Sequence, residues 1–303
     1  MSTADPVLRQ GRPLAGALWM LATGLLFVTV NTLVKGLGDA IPAAQSAFLR
    51  FAFGAAFILP AAGGLRAVRA IRPGMGRLFL IRGVIHSVGV SAWFYAMTQI
   101  PLADVTALNF LAPVYVTVGA ALFLGEGFRV RRLIAVFAAL AGALLIIRPG
   151  FREVSPGHLA MLVTGVALGV SYLIGKRATD EVAPGTIVAV LSLSVSLCLA
   201  PVAAMVWVPL DWVQVGVLAA VAAVATLAHV TMTFAFRAAP VGATQPVTFL
   251  QLVWAALVGW WLFAEPVDAW VLGGGTLIVA AVTFIAIREH QERRAASRAV
   301  PGV

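Results

Sequence analysis

The sequence predicts an all-α integral membrane protein, with ten transmembrane helices in two inverted five-helix repeats. Hydrophobic residues make up 61% of the 303 residues and charged residues only 11%, against about 45–50% and about 25% in ordinary soluble domains. The apolar residues form ten long stretches with short polar breaks between them, and the second half of the chain repeats a pattern of the first. A chain with so few polar residues needs lipid as the solvent for most of its surface.

Each apolar stretch is about long enough to cross a bilayer as a helix. About twenty residues at 1.5 Å per residue span a hydrocarbon core of about 30 Å, and the first stretch is too long for the core of a signal peptide. The predicted spans are Leu14–Val34, Pro42–Ala61, Leu78–Thr98, Leu102–Leu124, Leu133–Ile147, His158–Gly175, Gly185–Val208, Val213–Phe236, Val241–Phe263 and Ala269–Ile287.

The internal repeat is clearest between the segments Pro101–Glu126 and Pro240–Glu265. They align without a gap, so that both begin with a proline and end with a glutamate. Upstream, Lys35 corresponds to Lys176 at a slightly larger offset. Agreement at both ends of a long segment indicates a duplicated unit.

The repeat divides the chain at a stretch rich in proline, glycine and charge, Arg148–Gly157, where no apolar run continues. We therefore predict four parts: a cytoplasmic N-terminal segment (1–13), a first five-helix repeat (14–148), a second, inverted five-helix repeat (157–287) and a basic cytoplasmic C-terminal tail (288–303).

The basic residues predict how the chain is inserted. Sixteen of the 21 Lys and Arg residues fall in segments on one side of the predicted bilayer, three on the other side and two inside spans. Basic residues collect on the cytoplasmic side, so both termini are predicted to be cytoplasmic, in the plasma membrane (the inner membrane of a bacterium). Five spans per half is an odd number, so the second half is inserted with the opposite orientation. Inverted repeats are typical of alternating-access transporters, whose substrate binds near the midplane between the repeats.

Several short motifs resemble the EamA type of the drug/metabolite transporter superfamily. They are Leu49-Arg50-Phe51, Ala112-Pro113, Gly125-Glu126, Ala141-Gly142, Glu265 and Gly273–Gly275. The resemblance covers nearly the whole chain and implies a ten-helix exporter of small molecules. The third span, which contains histidine and aromatic residues, is similar to that of YddG-type exporters of aromatic amino acids. A multidrug or other-metabolite exporter of the same fold remains the alternative, because the superfamily also exports drugs, sugars and other metabolites.

Ionisable residues inside a membrane are costly and mark functional sites. The carboxylates all lie in predicted loops, tails or helix ends, whereas Arg50, Arg82, His86 and His229 fall inside spans. Such an interior suits a substrate with a negative or neutral polar end, for example the carboxylate of an amino acid. For Arg82 we favour another interpretation, in which its long side chain reaches the cytoplasmic interface.

The predicted substrate site combines the histidines with aromatic and polar residues of several spans. His86 and Trp93 share one face of span three, and aromatic rings suit an aromatic or apolar side chain through stacking. The alternative for His86 is a packing histidine. The substrate-binding candidates are His86, Trp93, Tyr95, Asn109, Tyr115, Tyr172, His229, Thr248, Gln251 and Trp254.

Other residues are predicted to assist transport. Pro113 and Pro246 remove backbone hydrogen bonds and are candidates for kinks that gate the site, with kinked packing alone as the alternative. His86 and His229 are candidates for proton coupling, since histidine titrates near pH 6.5, although uncoupled efflux is also open. For Glu126 and Glu265 we favour ion pairing or a topological role over a proton relay.

The sequence argues against several other classes of protein. A single cysteine and four scattered histidines give neither a disulfide nor a metal-ligand cluster, and no cofactor is expected. Cys198 and the serines of span seven have no histidine and carboxylate at their depth, which argues against an intramembrane enzyme. The net charge of +9 reflects the cytoplasmic loops rather than nucleic-acid binding. The expected partners are a small-molecule substrate and the lipid bilayer, with a homo-oligomer left open.

Overall fold

The computed structural model describes residues 13–61, 71–123, 130–151, 153–178, 184–238 and 241–299, and the single residues 63, 66, 68 and 182. A 3-10 turn, Gly38–Ala40, follows the first helix. The described helices are α1 (Pro13–Leu37), α2 (Ala43–Ala61), α3 (Pro73–Gln99), α4 (Leu102–Asn109), α5 (Ala112–Phe123), α6 (Val130–Ile147), α7 (Pro156–Ala178), α8 (Pro184–Met205), α9 (Trp212–Ala238), α10 (Val241–Phe263) and α11 (Ala269–Ala299).

The described helices confirm the predicted fold class. Seven of them are long and apolar enough to cross a membrane, and three shorter apolar segments, Leu102–Val116, Leu133–Ile147 and Val247–Phe263, account for the other predicted spans. The last helix continues to Ala299, beyond the predicted end of span ten at Ile287, so most of the predicted tail extends this helix. The predicted segment 1–13 lies outside the described residues except for Pro13.

Span four is divided into two helices. Helix α4 ends as the N–H groups of Phe110 and Leu111 bond to the carbonyls of Ala107 and Leu108, three residues back, a tighter spacing than in an α-helix. Helix α5 then begins with Pro113 in its first turn, where the missing N–H of proline costs no intrahelical hydrogen bond. Span nine is helical through Pro246, whose side chain lies outside the described residues.

The two halves of the chain are interlocked. Helix α1 lies against α9, and the corresponding helix of the second half, α7, lies against α3. The pairs α2 with α8 and α6 with α11 each join a helix to its counterpart. Exchanging the halves therefore preserves the main contacts, as a two-fold axis relating two repeats requires.

Close packing between the halves depends on small residues. A Cβ atom on Gly142 of α6 would lie 2.6 Å from the carbonyl oxygen of Gly274, and one on Gly274 of α11 would lie 2.5 Å from that of Gly142. The two helix backbones thus touch, as at other small-residue interfaces in membranes. Gly273 instead has open space beside it.

An ion pair joins the halves at one end of the bundle, where α1 ends and α4 begins. Lys35 Nζ lies 2.6 Å from Glu265 Oε1, and both side chains are 13% exposed. The N–H of Leu102, the first residue of α4, donates to Glu265 Oε2 at 2.8 Å, which satisfies a free donor at the start of that helix. The ion-pair interpretation is therefore confirmed for Glu265, while Glu126 lies outside the described residues.

Two further contacts between a basic side chain and an aspartate connect the halves at the same end of the bundle. His158 Nε2 of α7 lies 3.0 Å from Asp104 Oδ2 of α4, and both side chains are buried. Arg148, which follows α6, contacts Asp268, which precedes α11. Asp104 stands in the first turn of its helix, so its carboxylate is at a helix end rather than at the middle of the membrane.

Candidate functional site

The centre of the bundle is organised around His86, the middle residue of the 27-residue helix α3. Its Nδ1 atom lies 3.0 Å from the hydroxyl oxygen of Ser171 on α7. The ring also meets two aromatic rings edge-on, Phe51 of α2 at 5.5 Å and Tyr172 of α7 at 6.5 Å between centroids. His86 is therefore held by three helices from both halves of the chain.

Tyr172 combines a deep position with an accessible side chain. Its side chain is 44% exposed, although its ring meets that of the buried His86. Part of the ring is therefore accessible beside His86.

His229 of α9 lies on another side of this central region. Its ring meets Phe27 of α1 edge-on at 5.4 Å between centroids, and α9 packs against α2, the helix that carries Phe51. Its Nδ1 atom lies 2.7 Å from the carbonyl oxygen of Ala225 in the same helix.

Arg50 and Arg82 make the central region electropositive. Arg82 shares Ser171 with His86, Arg50 precedes Phe51, whose ring meets that of His86, and neither arginine makes an ion pair within the described part of the chain. Arg50 instead lies 3.9 Å from the centre of the Phe51 ring, a cation–π contact. An uncompensated positive charge in the membrane attracts an anion.

Our expectation for Arg82 was wrong. The residue is only 6% exposed, and its Nε atom donates to Ser171 Oγ at 3.3 Å, so the side chain does not extend to the cytoplasmic interface. The reason lies on α7, where Gly175 has no side chain and leaves the guanidinium room against the helix.

Three further candidates are at least half-buried between helices. Trp93 packs against the core, and its indole Nε1 is buried. Tyr115 of α5 lies against α7, where a Cβ on Gly165 would approach its ring to 2.6 Å. Gln251 of α10 faces Gly24 of α1, at 3.3 Å from a Cβ built on that glycine.

The remaining candidates are not brought to His86 by any contact in the described structure. Tyr95 lines a separate cavity of about 290 Å³ near the C-terminal end of α3, together with Asp39 and Gln99. Asn109 is the last residue of α4, at the break in span four. On α10, Trp254 is 37% exposed and Thr248 is half-buried.

Thr226 lies one turn before His229 on α9. Thr226 Oγ1 donates to the carbonyl oxygen of Ala222 at 2.8 Å, so its hydroxyl is satisfied within its own helix. Sequence reasoning also missed Ser171. This residue meets Arg82 and His86 only where α3 and α7 pack together, and the sequence alone does not show that packing. In the described ranges, no group of three or more His, Cys, Asp or Glu side chains could hold a metal ion.

Comparison with known proteins identifies the family. The model of the EamA-like transporter family matches residues 14–148 and again residues 155–287. This chain belongs to the EamA-like transporter family. Its two matched segments correspond to the two interlocked halves described above.

Curated relatives of this EamA-like protein are named as transporters of small molecules. It is 30% identical to a riboflavin transporter of Rhizobium johnstonii, over 97% of this chain and 98% of the relative. It is 30% identical to the pseudopaline exporter CntI of Pseudomonas aeruginosa, over 88% and 94%, and 23% identical to an S-adenosylmethionine uptake transporter of Rickettsia felis, over 94% and 96%. These relatives indicate a multi-pass membrane transporter of a small molecule.

A solved crystal structure has the same fold. It superimposes with a TM-score of 0.58 and covers 91% of this chain and 98% of its own, at 19% sequence identity. At this identity the likeness concerns the fold alone.

Proposed function

We propose that this protein exports small metabolites that carry a carboxylate, most specifically amino acids with aromatic or apolar side chains, across the bacterial inner membrane. The observation that carries the proposal is the electropositive centre around His86, where Arg82 shares Ser171 with His86 and Arg50 stacks on Phe51, whose ring meets that of His86. In the described ranges, the carboxylates lie at helix ends, in loops or in the polar part of α11 that follows Ile287. A carboxylate gains from such an environment, whereas an organic cation without one is repelled.

The aromatic rings at the same place support the second half of the proposal. Phe51 and Tyr172 meet His86 edge-on, and Phe27 meets His229. Rings in these positions offer apolar and stacking contacts to an aromatic side chain. The other candidates, Trp93, Tyr115, Gln251 and the more distant Tyr95, Asn109, Thr248 and Trp254, are proposed to complete the path of the substrate.

We propose that transport proceeds by rocking of the two repeats around this centre. The halves contact each other in a pattern that is preserved when they are exchanged, as alternating access between two equivalent arrangements requires. Pro113, beside the break in span four, and Pro246 in span nine are proposed as points of bending. His86 and His229 are proposed to carry protons if export is coupled to them.

Efflux from proteoliposomes tests the function. Vesicles containing the purified protein and loaded with radiolabelled phenylalanine are expected to lose label faster than empty vesicles and faster than vesicles with a denatured sample. Tyramine, which has an aromatic ring and an amine but no carboxylate, is the matched control and is expected to stay inside. No protein-dependent efflux of any amino acid would contradict the proposal.

Cysteine labelling tests the proposed orientation. In a Cys198→Ala background, Asp39→Cys in the loop after α1 and Gln291→Cys near the C-terminus both place a thiol at an exposed position. An impermeant maleimide is expected to label Asp39→Cys in intact cells and Gln291→Cys only after permeabilisation. The reverse pattern would place the termini outside the cell.

Riboflavin transport is a second candidate, favoured by the riboflavin transporter that is 30% identical over nearly the whole chain. Unlabelled riboflavin is the test, because it would compete with phenylalanine in the efflux assay only if it used the same site. Uptake and export both occur among the named relatives, so export remains part of the proposal. The homo-oligomer stays a prediction from the sequence.

A further inference from the structure

Arg82, Ser171 and His86 form a polar cluster between α3 and α7 that contains a buried positive charge. The Nε atom of Arg82 donates to Ser171 Oγ, because a guanidinium has donors only. Ser171 is fully buried, and its own hydrogen is then available to His86 Nδ1, 3.0 Å away. In that arrangement His86 carries its hydrogen on Nε2 and offers a second donor beside the guanidinium.

The guanidinium itself is not fully satisfied. Its Nη1 atom is buried and has no hydrogen-bond partner in the described part of the protein. Buried polar groups are nearly always paired, and an unpaired one on a charged side chain indicates a missing ligand. The ligand that fits two N–H donors and a positive charge is a carboxylate, which arginine binds with parallel hydrogen bonds.

Arg50 is a weaker candidate for the same role. Its guanidinium is stacked 3.9 Å from the centre of the Phe51 ring, and it is partly exposed, so that the ring and the accessible space already compensate part of its charge. Arg82 has neither. We propose that Arg82, assisted by Ser171 and His86, binds the carboxylate of the transported solute, while Arg50 contributes only to the general positive potential.

Gly175 sets the position of this group before the solute arrives. A Cβ atom on Gly175 would lie 2.7 Å from Arg82 Cζ and 2.8 Å from Nη2. The guanidinium therefore occupies the space that any other residue at 175 would fill. The absence of a side chain at Gly175 thus keeps the guanidinium beside Ser171 and His86, in the position in which it meets the carboxylate.

This inference rests on the proposed function, because it assumes a solute with a carboxylate, and binding to the purified protein separates the two. Binding of phenylalanine, of 3-phenylpropionate and of its neutral isostere, 3-phenylpropanamide, is measured directly by isothermal titration calorimetry. The wild-type protein is expected to prefer the acid about tenfold to a hundredfold, the value of one charge-assisted hydrogen-bonded contact. Arg82→Met is expected to abolish the preference, mainly by weakening binding of the acid, and Arg82→Lys to restore part of it.

Two further variants protect the test against misfolding and against a general electrostatic effect. Gly175→Ala keeps the charge but displaces the guanidinium, so it is expected to lower the preference for the acid; Gly216→Ala, with open space around it, is its control. Arg50→Met is expected to reduce the preference by at most a few-fold.

The outcomes separate the two proposals. If phenylalanine and both analogues fail to bind the wild type, the proposed function fails. If phenylalanine binds but Arg82→Met or Gly175→Ala keeps the full preference for the acid, the role of Arg82 is refuted while the proposed function stands. A full loss of the preference in Arg50→Met, with Arg82 variants unaffected, would transfer the role to Arg50.

Discussion

Replacement of Gly274 by alanine is expected to destabilise the interlocked halves, whereas the same replacement at the adjacent Gly273 is not. Both glycines lie on α11 and are two turns or fewer from its start. A Cβ at position 274 would meet the carbonyl oxygen of Gly142 at 2.5 Å and Ile146 Cγ1 at 2.8 Å, while a Cβ at position 273 meets nothing within 4 Å. The two variants thus differ only in the face of the helix that receives the methyl group.

The expected loss of stability in Gly274→Ala follows from the movement of α6 and α11 that the added methyl group requires. Real Cβ atoms do not approach a backbone oxygen to 2.5 Å, so α6 and α11 must separate along their shared surface. Overpacking of this kind costs about 1–3 kcal/mol. At position 273 alanine restricts the unfolded chain and is expected to stabilise by about 0.4–1 kcal/mol.

Equilibrium unfolding of the purified protein in mixed micelles, followed by circular dichroism as the SDS fraction rises, measures both free energies. Gly142→Ala is expected to resemble Gly274→Ala, and the double variant to cost less than the sum, because one separation of the helices serves both methyl groups. Equal stability of Gly274→Ala and Gly273→Ala would refute the backbone contact between α6 and α11.

Other predictions concern the polar contacts that join the two halves at one end of the bundle. A double-mutant cycle with Lys35→Met and Glu265→Gln is expected to give a coupling free energy of about 1–3 kcal/mol, because the ion pair is only 13% exposed; a value near zero would show that the pair contributes nothing. Asp104→Asn replaces a charge-assisted contact to the buried His158 and is expected to cost about 1–3 kcal/mol in the same unfolding assay. Asp39→Asn, at an exposed position, is its control and is expected to change stability by less than about 0.5 kcal/mol.

Composition and hydropathy predicted the spans well, because lipid imposes a simple condition on each of them. A span must be apolar over a fixed length and must satisfy its own backbone hydrogen bonds. Span nine was predicted as Val241–Phe263, which are the bounds of α10, and span five ends at Ile147 as predicted. The internal repeat was readable for a similar reason, since Pro101 and Glu126 recur at fixed spacing as Pro240 and Glu265.

Hydropathy did not predict the helix bounds that depend on local sequence or on local hydrogen bonds. The apolar run of α11 ends near Ile287, but the polar residues after it are good helix formers, and the helix continues. The break after Asn109 depends on hydrogen bonds at Phe110 and Leu111. Hydropathy averages over such local changes and does not detect them.

The candidate site was predictable only in part. The sequence showed that Arg50, Arg82, His86 and His229 fall inside spans, and that no carboxylate accompanies them. It did not show that Arg82 turns toward α7, because this depends on the absence of a side chain at Gly175, 93 positions away. Nor did the sequence show that Tyr95 lies apart from His86, in the cavity near the C-terminal end of α3.

By itself, the sequence determined that this chain is a membrane protein built from two related halves with a positively charged interior, because length, hydropathy and repetition are properties of the chain alone. The tertiary structure decided which charges meet. Lys35 finds Glu265, and Arg82 finds Ser171 rather than the membrane surface, since the energy of a charge in a low-dielectric medium depends on partners that the fold brings within a few ångströms.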